Sequence, residues 1–149
     1  MISALDPTTL QGNLIASSAY LRSHEAGNGK VGIVGFCWGG GMANALAVAD
    51  PQLNAAAAFY GAQPDAAAVP AIKAAVMLHY AELDERINAG IDAYKAALDK
   101  AGIRYELFIY SGVNHAFHND TSEARYNAEA ANLAWDRTME FFGKELASS

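Results

Sequence analysis

The chain has 149 residues, 52% of them hydrophobic and 17% charged, which suits one globular domain with a sizeable core and is too short for two. A formal net charge of -6 argues against nucleic acid or anionic lipid as a partner, and no apolar run approaches the ~20 residues of a membrane helix. Cys37 is the only cysteine, so no intrachain disulfide can form; Met1-Ile2-Ser3-Ala4-Leu5-Asp6 has neither the basic start nor the apolar stretch of a leader, and a cytoplasmic protein is expected.

Asp6-Pro7 reads as a helix N-cap followed by proline at the first helical position. Leu10, Leu14, Ser17 and Leu21 then share one helical face as far as the Gly27-Asn28-Gly29 break. Val31 to Phe36 is a short apolar strand that ends at Cys37, and a helix from about Gly40 to Ala49 follows, stopped by Asp50-Pro51. Ala55 to Tyr60, closed by Gly61, reads as a buried strand; Ala62 to Pro70 is a loop; Ala74 to Tyr80 is a second buried strand.

Asn88 is expected to cap a helix whose stripe is Ile91, Tyr94, Leu98 and Ala101, with Gly102 as its stop. Arg104 to Tyr110 has the composition of a strand. The last helix runs from about Glu123 to Leu146, with Trp135, Met139, Phe142 and Leu146 at helical spacing and expected in the core. Strands alternating with helices, without hairpin turns, predict a parallel sheet covered by helices. No internal repeat is present.

The candidate chemistry centres on Cys37. A strand that ends in Gly-x-Cys-x-Gly and opens into a helix places the cysteine on a sharp turn, for which Gly35 and Gly39 are expected to make room. The unpaired N–H groups of the helix's first turn would favour a thiolate. A free cysteine is otherwise a small buried hydrophobe, so a base and an acid are needed to support a nucleophile.

In parallel sheets reactive groups gather beyond the carboxyl ends of the strands. There the chain carries Cys37, then Glu82-Leu83-Asp84-Glu85, then Ser111-Gly112-Val113-Asn114-His115. Nucleophile, acid, base is the chain order of α/β-hydrolases. His115 takes the thiol proton or holds it as an ion pair, and Asp84 orients the imidazole. The plain reading of the acids is a solvated turn before a helix, which suits Glu82 and Glu85.

His24 lies near a helix end and His79 within a buried strand. His118 with His115 and Asp84 or Asp120 would permit a metal site, but neither a thiol cluster nor a His-Glu-x-x-His helix supports one. The glycines lack the Gly-x-Gly-x-x-Gly and Gly-Lys-Ser/Thr spacings of nucleotide sites. Neither metal nor cofactor is expected.

On these residues the chain resembles the dienelactone hydrolase (carboxymethylenebutenolidase) family of α/β-hydrolases. The match lies in Gly35-Phe36-Cys37-Trp38-Gly39-Gly40, Phe59-Tyr60-Gly61, Asp84 and His115-Ala116-Phe117. His115 to Asp120, leading to Trp135 and Phe141-Phe142, resembles the less characterised branch of that family.

The resemblance implies hydrolysis of a lactone or ester through an acyl-cysteine on Cys37, with the Trp38 N–H in the oxyanion hole and Trp38, Tyr60 and Phe117 walling the pocket. It also implies a carboxylate-holding arginine four residues after the histidine, where this chain has Asn119; Arg86 or Arg125 could substitute. It further implies several N-terminal strands, which carry the second oxyanion donor and precede the helix at which this chain begins.

The expected fold is therefore a three-layer α/β-hydrolase-type sheet, over residues 1–149 as a single truncated domain lacking those strands. Val31 to Val34 then forms an apolar edge, and self-association or pairing with a separate N-terminal chain is expected to cover it. The competing expectation is a catalytically weak or silent homologue that acts as a folded interaction module.

Overall fold

Parallel strands need a crossover between them, and here the first and last crossovers are helical while the middle one is a loop with a short 3-10 turn at Val69–Ala71, each returning the chain to the same end of the sheet. A computed structural model describes residues 6–148; Met1–Leu5, most of the stretch read above for a leader, lies outside them. The elements are α1 (Pro7–Ser23), β1 (Gly32–Phe36), α2 (Trp38–Ala49), β2 (Ala55–Phe59), β3 (Ala75–Ala81), α3 (Glu85–Asn88), α4 (Ile91–Ala101), β4 (Tyr105–Tyr110) and α5 (Ala128–Glu145). No helix among the described residues is long and apolar enough to cross a membrane.

The four strands are parallel in the order β1-β2-β3-β4. Gly32 to Phe36 pairs with Ala55 to Phe59, Ala55 to Phe59 with Ala75 to His79, and Val76 to Ala81 with Tyr105 to Tyr110. β2 and β3 are buried throughout and read as continuous apolar runs, as inner parallel strands do. Alternation along them separates two cores. Ala56, Ala58, Val76, Leu78 and Tyr80 pack toward Leu46, Tyr94 and Leu98, whereas Ala55, Ala57, Ala75 and Met77 pack toward Phe141.

Several expected boundaries and faces shift. α2 begins at Trp38, directly after the cysteine, and α5 begins at Ala128, where the Asn127 side chain accepts the Ala130 N–H. Asn88 ends α3 instead of capping α4, and its amide donates to the carbonyls of Ala81 and Glu82. In α1 the inward row is Leu10, Leu14, Ser18 and Arg22, while Ser17 and Leu21 face solvent. A polar anchor sets that phase: the Ser18 hydroxyl (2.7 Å) and Arg22 guanidinium (2.9 Å) both donate to Asp50 Oδ2.

The core face of α5 is also corrected. Ala130, Ala131, Ala134, Thr138 and Phe141 are buried, whereas Trp135 and Met139 are 38% and 53% exposed. Small alanines let this helix close onto β2 and β3, leaving the bulkier stripe over β1. There Phe142 and Leu146 cover Gly32, and Trp135 stacks on Phe36. β1 is an edge, and no strand among the described residues lies beyond it to bury the rest of the stripe.

Candidate active site

Because all four strands run the same way, the loops after β1, β3 and β4 open at one end of the sheet. The first is the turn at Cys37, whose φ of 54° and ψ of -121° lie where a side chain strains the backbone. The strand and helix meet so closely that a Cβ on Gly35 would stand 1.9 Å from the Gly39 carbonyl oxygen. Gly40 and Gly61 are equally confined: a Cβ on Gly40 would stand 2.6 Å from the Phe59 oxygen, and one on Gly61 2.3 Å from the Gly40 carbonyl carbon. A Cβ on Gly39 would meet nothing within 4 Å, so its expected role passes to Gly40 and Gly61.

Asp84 follows β3 and caps α3, its Oδ1 accepting the Ile87 N–H at 3.3 Å. Its Oδ2 stands 2.5 Å from His115 Nδ1, and His115 Nε2 stands 3.0 Å from Cys37 Sγ. The carboxylate can only accept, so the proton sits on Nδ1 and leaves Nε2 free to accept from the thiol. Tyr60, buried and at φ 38°, lays its ring 5.0 Å from the imidazole, centroid to centroid.

Burial pushes the Cys37 thiol above its ordinary range, and the charge of Asp84 adds to the push. Arg125, the Trp38 backbone N–H and Arg86 pull it down without overcoming burial. The balance runs against the thiolate that the helix N-terminus alone would favour.

Two clefts meet at the sulfur. One, of about 420 Å³, is lined by Cys37, Trp38, Met42, Tyr60, Gln63 and Arg86 among others. The other, of about 380 Å³, is lined by Phe36, Cys37, Tyr60, His118, Asn119 and Trp135 among others. Trp38 lines the first cleft and Tyr60 lines both. Phe117, expected on the pocket wall, is instead fully buried against Tyr60 and Tyr110 and lines neither cleft. At the adjacent Ala116 φ is 68°, and this left-handed step carries the chain inward after His115. Arg125 borders a separate groove with Asp84 and His115.

Gln63 was not anticipated. Its amide donates to the Ile87 carbonyl at 3.0 Å, and only the fold brings that loop beside the cysteine. His118 packs among Phe36, Phe59 and Trp135. Among the described residues no three His, Cys, Asp or Glu side chains gather as a metal site.

The chain is similar to several known proteins. A "Putative carboxymethylenebutenolidase" from Saccharolobus solfataricus is 39% identical over 85% of the chain and 49% of its own length. Another protein of that name, from Methylorubrum extorquens, is 30% identical over 95% of the chain and 53% of its own length. The crystal structure titled "Putative Dienelactone Hydrolase" from Klebsiella pneumoniae superposes with a TM-score of 0.87 at 26% identity, covering 97% of this chain and 64% of that one. The chain thus spans about half the length of the curated relatives it matches. The family model for the dienelactone hydrolase family matches residues 2–146, nearly the whole sequence, and the chain belongs to that family.

Proposed function

We propose that this chain carries the reacting groups of a cytoplasmic cysteine hydrolase that cleaves small lactones or carboxylic esters without a cofactor. The observation behind this reading is the 3.0 Å approach of His115 Nε2 to Cys37 Sγ, with Asp84 behind the imidazole. As Sγ bonds to the substrate carbonyl carbon, its proton passes to Nε2 and the carbonyl electrons move to oxygen. The Trp38 N–H donates to that oxyanion.

Collapse of the tetrahedral species breaks the C–O bond, and the leaving alkoxide takes the proton from His115. In a lactone it stays tethered to the acyl group. Water then attacks the thioester, giving its proton to Nε2, and expulsion of the thiolate releases the acid and restores the thiol. Arg86, which lines the larger cleft, is the cation that stands in for the arginine replaced by Asn119 when the substrate carries a carboxylate.

The open edge of β1 has a bearing on rate. In α/β-hydrolases one oxyanion donor comes from the residue after the nucleophile and another from a loop of an earlier strand. We propose that a second copy or a separate N-terminal chain pairs with β1 and covers it, and that the separate chain also brings the second donor. Without it, turnover falls by about a hundredfold to a thousandfold, the usual cost of one donor.

Hydrolysis of p-nitrophenyl acetate and of a dienelactone by the chain, beside Cys37→Ser and His115→Ala, tests the reading. Loss of activity in both variants supports it. Equal rates in all three proteins would leave the competing role, a silent interaction module, as the better account.

A further inference from the structure

The loop carrying the acid and the loop carrying the base are joined beyond the triad itself. The Glu82 N–H donates to the Tyr110 carbonyl at 3.0 Å and the Leu83 N–H to the Val113 carbonyl at 3.1 Å, continuing the β3–β4 pairing past the last strand residues. The Glu82 carboxylate adds a third link, accepting the Gly112 N–H at 2.7 Å. Gly112 sits at φ 70°, so the turn from Ser111 to Asn114 depends on a left-handed residue whose N–H is held by a side chain of the opposite loop. On the far side, Asn88 donates to the Ala81 and Glu82 carbonyls and fixes the segment from which that carboxylate extends.

We propose that Glu82 is a positioning residue for His115. The proposal rests on the hydrolase reading above. Glu82 itself is exposed, and from sequence it reads as a solvated carboxylate of an acidic turn. Its carboxylate makes a charge-assisted bond to the N–H of Gly112, three residues before the base, while backbone bonds hold the chain on either side of that residue, at Tyr110 and Val113. Released from Glu82, the tip keeps its fold and its N–H turns to water. The freedom gained there tilts the imidazole relative to a sulfur that must stay within hydrogen-bond reach, and small misplacements of reacting groups are costly in rate.

The test compares Glu82→Ala and Glu82→Gln with the wild-type chain in p-nitrophenyl acetate hydrolysis, iodoacetamide alkylation of Cys37 against pH, and thermal melting. Glu82→Ala is expected to lower kcat by roughly tenfold with KM held within about twofold. Its alkylation profile is expected to move toward that of His115→Ala, with little change in melting temperature. Glu82→Gln keeps an acceptor and is expected to recover most of kcat.

A wild-type kcat and alkylation profile in Glu82→Ala overturns the proposal. So does a Glu82→Gln variant as impaired as Glu82→Ala, because charge and not the bond to Gly112 would then be at work. Alkylation does not require turnover, so failure of the hydrolase reading shows separately, as equal hydrolysis by wild type, Cys37→Ser and His115→Ala.

Discussion

Gly35 faces the Gly39 carbonyl so closely that a Cβ on Gly35 would stand 1.9 Å from its oxygen. The contact is between a strand backbone and a helix backbone, and neither can rotate aside as a flexible side chain could. Gly35→Ala must therefore push α2 away from β1, at a cost of about 3 kcal/mol, the upper part of the range for overpacking. Gly39→Ala meets open space and should stay within about 1 kcal/mol of wild type, helped by the better helix propensity of alanine. Urea unfolding of the two variants checks the contrast, and equal stabilities would refute it.

The thiol at this turn should alkylate later in pH than a free one. Burial and the Asp84 charge push Cys37 up, and Arg125, the Trp38 N–H and Arg86 answer them incompletely. The alkylation midpoint of the wild-type chain is expected above the ~8.5 of free cysteine. Arg125→Ala, which removes the strongest of the opposing influences, should raise it further. A midpoint near neutrality would mean that the helix N-terminus outweighs burial.

The meeting of Cys37, Asp84 and His115 at one end of the sheet is legible in sequence because its signals are local: a glycine-bounded turn, and polar residues in order at strand ends. The expected sheet and its four strands likewise follow from short apolar runs. What was not legible depends on contacts between distant segments. Nothing in the Gly35–Gly41 stretch says that Gly40 rather than Gly39 meets Gly61. Two stripes compete on α5, and the bulky one, Trp135 with Met139, reads as core, although it is the alanine face that closes onto β2 and β3. Phe117 follows His115 by two residues, but only the left-handed step at Ala116 turns it into the core.

Acid should weaken the fold through His79. Its Nδ1 lies 2.9 Å from the Tyr110 hydroxyl and its Nε2 2.9 Å from Thr138 Oγ1. Thr138 donates to the Ala134 carbonyl, so it accepts from the imidazole, and a neutral ring satisfies the whole chain of bonds. Burial first, and then the charges of Arg137 and His118, push the histidine down to about 3. The unfolded chain takes up this proton near pH 6.5, well before the folded chain does. Stability is therefore fully present above that value and is lost as pH falls through the window from about 6.5 to about 3. His79→Gln should be less stable than wild type at pH 7 and show a flatter decline across the window. Parallel declines in denaturant titrations from pH 7 to pH 4 would count against this assignment.

The edge at β1, beside Cys37, makes the strongest demand on assembly. Val34 on β1 is 36% exposed, and Trp135 and Met139 stand open on the helix above that strand, so among the described residues an unpaired backbone edge and an apolar stripe coincide. An edge of this kind invites another strand. Purified at micromolar concentration, the 15.7 kDa chain should run in gel filtration with light scattering as a species larger than its monomer mass. Met139→Lys places a charge on the open stripe and is expected to shift that species toward monomer while changing the melting temperature little, since more than half of Met139 faces solvent and the lysine stem can replace its packing. A wild-type monomer would rule out self-association and leave pairing with a separate chain, for which co-purification with the N-terminal half of a longer relative is the direct assay. Where a separate N-terminal chain covers the edge, hydrolysis should rise by about a hundredfold or more, because that chain brings the second oxyanion donor. Covering without that gain would mean that the interface stabilises the fold and adds nothing to the site.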